Sequence, residues 1–264
     1  MQPARVDRRQ NPNAGPVDRY GAARLIGVLV AWCVLGLAGA ACADMSTHVI
    51  AGTTEQLAAG RWALGWAPIS PILRKTSAIA GFASVVVPLS LWSGRRIGAG
   101  NVVAGLGDYR IRRQRFVAAL AIVLIASLLV FVMLVAEVPG FARFLTTRAQ
   151  EDTSGIRTLP LEAVAIYCIM ITIVAPVSEE ILFRGWLWTG LRRHLEPLPT
   201  GLITASLFVA AHLSVNAYKP LVVMPVAVLL SVARHYGSSV RASLALHMLN
   251  NGLAALMVAV SRFG

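Results

Sequence analysis

Charge is scarce in this chain, and lysine is nearly absent. Of 264 residues 14% are charged, against roughly 25% in an ordinary soluble domain. Lysine occurs only at Lys75 and Lys219, and the acids number twelve. Cysteine is limited to Cys33, Cys42 and Cys168, all in or at the end of apolar stretches. Their spacing makes neither a metal site nor a disulfide framework, so they read as small buried residues. The shortage of charge excludes a disordered chain, because such chains are polar and charge-rich. It also excludes most soluble folds. What replaces charge is apolar surface: 56% of residues are hydrophobic, which makes a bilayer the natural solvent.

The charge that is present is strongly basic, 24 Lys and Arg against 12 Asp and Glu, for a net +12. In a soluble protein such an excess points to nucleic acid. In a membrane protein it marks cytoplasmic loops, and no nucleic-acid partner is expected here.

Apolar segments run at about 25–43, 76–93, 116–136, 159–178, 201–216, 221–234 and 242–260. Most approach the roughly 20 residues that a spanning helix needs. The expected fold is an all-α, polytopic transmembrane helical bundle of about seven spans. Residues 1–20 form a basic, disordered cytoplasmic tail with Pro3, Pro12 and Pro16. Residues 21–158 hold three spans, and 159–264 hold four. The short fifth and sixth segments meet at Asn216 to Pro220, which reads as a tight turn.

Loop charge gives the orientation. Arg5, Arg8, Arg9, Arg19 and Arg24 precede the first span. Arg95, Arg96, Arg110, Arg112, Arg113 and Arg115 follow the second, Arg192 and Arg193 the fourth, and Arg234 and Arg241 the sixth. The connection 137–158 on the opposite side is balanced and reads as a solvated connector. The positive-inside rule therefore places the N-terminus inside and the C-terminus outside. Segment 25–43 also resembles a signal peptide, with a basic flank and Ala41-Cys42-Ala43 as a cleavage site. Its apolar run exceeds the usual 7–15 residues, which favours a retained anchor. Cleavage would leave six spans.

Ionisable groups within spans are costly and usually functional. Ten acids fall in tails, loops or span ends. Glu179 and Glu180 instead continue the fourth apolar segment, near its expected cytoplasmic end. Trp186 and Trp188 place the interface close by. His48, His194 and His235 lie in loops or at boundaries, whereas His212 and His247 lie inside the fifth and seventh segments. On a helix, adjacent carboxylates diverge by about 100°. Arg184 shares a face with Glu180 and can neutralise it, leaving Glu179 free to face a cavity. Phe208 and His212 are four apart on one helix, and His247 and Asn251 four apart on another. Asn250 is turned away from His247 and reads as a packing or capping residue.

The ordered set Glu-Glu-x-x-x-Arg, Phe-x-x-x-His and His-x-x-x-Asn resembles the motifs of the CPBP intramembrane proteases. That family includes CaaX prenyl endopeptidases of the Rce1 type and bacterial Abi or bacteriocin-immunity proteins. The resemblance covers about 159–260, and the first 158 residues carry none of its motifs. It implies hydrolysis of a peptide bond in a membrane-embedded or lipidated protein or peptide. In such a family Glu179 with His212 activates water, and His247 with Asn251 donates to the oxyanion. Glu180, Arg184 and Phe208 give structural support. A metal version would use Glu179, His212 and His247 as ligands to a divalent ion such as zinc. There is no His-Glu-x-x-His motif, and the expectation is a metal-free reaction with no cofactor.

Two other classes stay open at this point. One is a catalytically silent immunity or scaffold protein on the same helices. The other is a proton-coupled transporter, since membrane Glu and His also build proton relays; no paired repeats or broken helices support it. The preference for arginine over lysine suggests a GC-rich bacterial genome, hence an inner-membrane location.

Overall fold

A computed structural model describes residues 19–67, 69–96, 159–213 and 219–261, with isolated positions between 125 and 147. Six helices occupy the continuous stretches: α1 Arg19–Ala58, α2 Pro71–Arg96, α3 Leu161–Leu191, α4 Pro197–Ala211, α5 Lys219–Gly237 and α6 Val240–Ser261. No strand occurs among the described residues. Four of these helices, α1, α2, α3 and α5, are long and apolar enough to cross a membrane; α4 is shorter. The expected third span at 116–136 lies largely outside the described residues, as do the tail 1–18 and residues 216–218 of the expected tight turn.

Two helices exceed their expected length. At 40 residues, α1 is about 60 Å long, roughly twice the hydrocarbon thickness. Its last turns meet the returning chain, where His48 Nδ1 donates to the Ala67 carbonyl at 2.6 Å and the His48 ring stacks on Trp66. In its apolar part α1 lies on α2 through glycine. A Cβ built on Gly81 would stand 2.3 Å from the Gly39 carbonyl oxygen, and one on Gly39 would stand 2.8 Å from that of Gly81. Only glycine allows two helix backbones to approach this closely.

The second is α3, a helical run of 31 residues that changes its winding twice. Leu161–Ile169 is α-helical, Met170–Val174 is a π-turn, Ala175–Glu180 is α-helical, Ile181–Leu187 is a second π-turn, and Trp188–Leu191 ends the run. Proline explains the first change. Pro176 has no N–H and its ring clashes with the preceding turn. The Ala175 N–H reaches back five residues to Met170, and the next carbonyl, Ile171, would need its donor from Pro176.

The longer run corrects two expectations. Glu179 and Glu180 lie in the interior of α3, not near its end. Trp186 and Trp188 are buried, not interfacial. Trp186 packs against Trp32 of α1 with ring centroids 4.4 Å apart and planes tilted by 43°, and its Nε1–H donates to Ser93 Oγ of α2 at 3.0 Å. Arg234 is buried within α5 rather than lying in a loop. The main apolar core forms around the second π-turn, from Leu182, Phe183, Trp186, Leu187 and Leu191 with Leu29, Trp32, Val86, Phe208 and Ala227. The cysteines are free, and Cys42 is exposed rather than buried.

Candidate active site

The carboxylate pair separates as helix geometry requires. Glu180 is fully buried, while the side chain of Glu179 keeps 20% exposure. Arg184, also fully buried, donates from Nη1 to Glu180 Oε1 at 3.1 Å and from Nη2 to the Ala227 carbonyl at 3.1 Å. Its guanidinium carbon sits 4.3 Å from the centroid of Phe208. The charge is thus held by a carboxylate, a backbone dipole and an aromatic face together, which a buried guanidinium needs.

His247 joins the two acids. Its Nδ1 lies 3.0 Å from Glu180 Oε1 and its Nε2 lies 3.7 Å from Glu179 Oε2. Because the ionised carboxylate only accepts, Nδ1 carries the proton toward Glu180. His212 approaches from the other side. It stands just past the end of α4, rather than within the helix as its spacing suggested, with φ −98° and ψ 5°. Its Nδ1–H donates to the Phe208 carbonyl at 2.8 Å, which leaves the Nε2 lone pair 3.9 Å from Glu179 Oε2. The Phe208 ring lies between the two imidazoles, 4.5 Å from His212 and 5.8 Å from His247 by centroids. Phe208 therefore orients both histidines while stacking against Arg184.

Both Nε2–Oε2 separations are too long for direct hydrogen bonds, and a small widening would admit a bridging water. Glu179 Oε2 thus lies within 4 Å of two imidazole nitrogens, with a direct hydrogen bond to neither.

Residues 161–253 match a protein-family model described as type II CAAX prenyl endopeptidase Rce1-like. This stretch is similar to that family over about a third of the chain. No curated protein and no solved structure matches the chain. The matched stretch begins at the start of α3 and extends into α6, and it contains every residue of the cluster. The matched family is one of proteases.

Asn251 has a different position from the histidines. Its Nδ2 donates to the Ile171 carbonyl at 2.9 Å, and its Oδ1 accepts from Asn250 Nδ2 at 3.1 Å. It closes the carbonyl that Pro176 leaves without a helical donor. Asn250, expected to pack or cap, thus holds the Asn251 amide in orientation.

Arg234 was missed as a site residue. Its Nε–H donates to the Arg184 carbonyl at 2.8 Å, and its guanidinium lies 5.7 Å from the Trp188 ring centroid. The only signal in the sequence was a basic residue ending an apolar segment, which reads equally as a loop charge.

Among the described residues, no group of three His, Cys, Asp or Glu side chains has a geometry that could hold a metal ion. Glu179, His212 and His247 do not form a zinc ligand set as they stand.

Proposed function

We propose that this chain is an intramembrane endopeptidase that hydrolyses a peptide bond with water activated by Glu179. The observation that carries the reading is the shared approach of His212 Nε2 and His247 Nε2 to Glu179 Oε2. The match of residues 161–253 to a protease family supports it.

In this mechanism a water between Glu179 and His212 gives one hydrogen bond to each. Both can accept, because His212 spends its Nδ1–H on the Phe208 carbonyl. Attack on the scissile carbonyl carbon forms the new C–O bond as the water proton passes to Glu179. Negative charge then collects on the carbonyl oxygen. His247, protonated at Nδ1 toward Glu180, meets that charge from Nε2 in its imidazolium form. Glu180 stabilises the imidazolium, as a buried carboxylate does behind a catalytic histidine. Asn251, with one Nδ2–H on Ile171, has a second amide N–H for the same oxyanion. Collapse breaks the C–N bond, and Glu179 returns its proton to the leaving amine.

The substrate in this reading is a membrane-embedded or lipidated protein or peptide. The protein itself is a multi-pass component of a bacterial inner membrane, with seven spans and the N-terminus inside. A comparison of membrane proteomes between a strain carrying the active protein and one carrying Glu179→Ala will identify the substrate as the protein that accumulates uncleaved. With that substrate, Glu179→Gln and His212→Ala each lower processing by at least about 100-fold at normal expression. Unchanged processing in both variants would reject the mechanism.

A further inference from the structure

The carboxylate pair lies between two π-turns, and a side chain from a distant helix closes a carbonyl in each. At the first, Asn251 of α6 donates to Ile171. At the second, the Trp188 N–H reaches the Phe183 carbonyl five residues back, past Arg184. The return from five-residue to four-residue bonding leaves one carbonyl over, and the Arg184 carbonyl accepts the Arg234 Nε–H.

The contact is reciprocal. Arg184 reaches from α3 to the Ala227 carbonyl of α5, and Arg234 reaches from α5 back to the Arg184 carbonyl of α3. Two antiparallel arginine bonds thus fasten the segment that directly follows Glu179 and Glu180. Nearly two turns of α5 separate Ala227 from Arg234, so the two bonds together fix rotation of α3 as well as its distance. Rotation matters here, because the two acids are adjacent and point in different directions. A small turn of the helix would move Glu179 from the histidines and Glu180 from His247 together. Arg234 is 5% exposed, so its charge is not there to meet solvent or headgroups.

We propose that Arg234 is a positioning residue for the reaction: its Nε–H, bound to the Arg184 carbonyl, fixes the winding of the second π-turn and thereby the aim of Glu179 and Glu180. The proposal rests on the protease reading above. It assigns the effect to one hydrogen bond and not to the positive charge, and the two are separable. Glutamine places an amide N–H donor at the same distance along the side chain as arginine Nε, without charge. Lysine keeps the charge but has a methylene at that position.

The full-length protein, wild type, Arg234→Gln and Arg234→Lys, is purified in detergent. Amide exchange across Ile181–Leu191 is followed by mass spectrometry, together with kcat and KM on the substrate that accumulates in the Glu179→Ala strain. The proposal expects Arg234→Gln to stay within about threefold of wild type in kcat and in exchange. It expects Arg234→Lys to lose more than about tenfold in kcat with little change in KM, and to exchange faster across that segment. Lysine equal to or better than glutamine would overturn it, since charge would then be the active property. Two fully active variants, or two that fail to fold, would overturn it as well. Glu179→Gln separates this from failure of the protease reading. If Glu179→Gln still cleaves, that reading falls; if it is inactive while Arg234→Lys is fully active, the positioning role alone falls.

Discussion

The imidazole of His247 is held by Glu180, Nδ1 to Oε1 at 3.0 Å, across 67 residues of sequence. The same carboxylate oxygen accepts Nη1 of Arg184. Glu180 is therefore no spare copy of Glu179. It is the point at which α3 and α6 share one hydrogen-bond network, and its charge holds the Nδ1 proton of His247.

That arrangement makes the ion pair cooperative. Removing one partner of a buried pair leaves the other uncompensated and costs about 3–5 kcal/mol. Glu180→Gln and Arg184→Met should each destabilise the protein by about that much. The double variant should be less destabilised than the sum of the two by at least about 1 kcal/mol. Denaturant unfolding of the four proteins in the same detergent measures the cycle, and additive costs would show that the two side chains do not act as a pair.

Metal removal gives a second prediction. Glu179 faces the histidines across gaps of 3.7 and 3.9 Å, and the proposed chemistry needs water alone. Purified active protein is expected to contain no stoichiometric zinc and to keep its rate after treatment with 1,10-phenanthroline. Activity that disappears with the chelator and returns with one equivalent of zinc would overturn the metal-free reaction.

The α1–α2 contact gives a third. A Cβ on Gly81 would stand 2.3 Å from a backbone oxygen and 2.8 Å from Ala43 Cβ, so the helices would have to part. Gly81→Ala should cost about 1–3 kcal/mol through overpacking. Gly27, where nothing lies within 4 Å of such a Cβ, is the control, and Gly27→Ala should be near neutral. Equal stability of the two variants, again by denaturant unfolding, would contradict the close approach.

Much of the candidate site could be read from the sequence because charge is rare in it. With twelve acids in the chain, two side by side in an apolar run stood out. The four-residue spacings of Glu180 with Arg184 and Phe208 with His212 both correspond to contacts in the structure. What escaped was winding. Periodicity arguments assume 3.6 residues per turn, and α3 departs from it twice. Hydropathy also ended the fourth span at 178, because Glu179, Glu180 and Arg184 lower the local average. The helix continues to Leu191 since those charges neutralise one another inside the protein. Trp186 and Trp188 were misplaced for the same reason. Arg234 escaped because one basic residue looks the same in sequence whether it meets lipid headgroups or a backbone carbonyl.

Pro176 has an effect on the order of assembly. The helix that bears the carboxylates is not complete when it is synthesised. The Ile171 carbonyl takes its donor from Asn251, 80 residues later, and the Arg184 carbonyl takes its donor from Arg234, 50 residues later. Until α5 and α6 have packed against it, α3 carries backbone acceptors without these donors. The reactive geometry is therefore among the last features the chain acquires, and a nascent or truncated protein that lacks α6 would have the acids without their alignment. Under the proposed function, hydrolysis therefore waits until α6 has docked on α3.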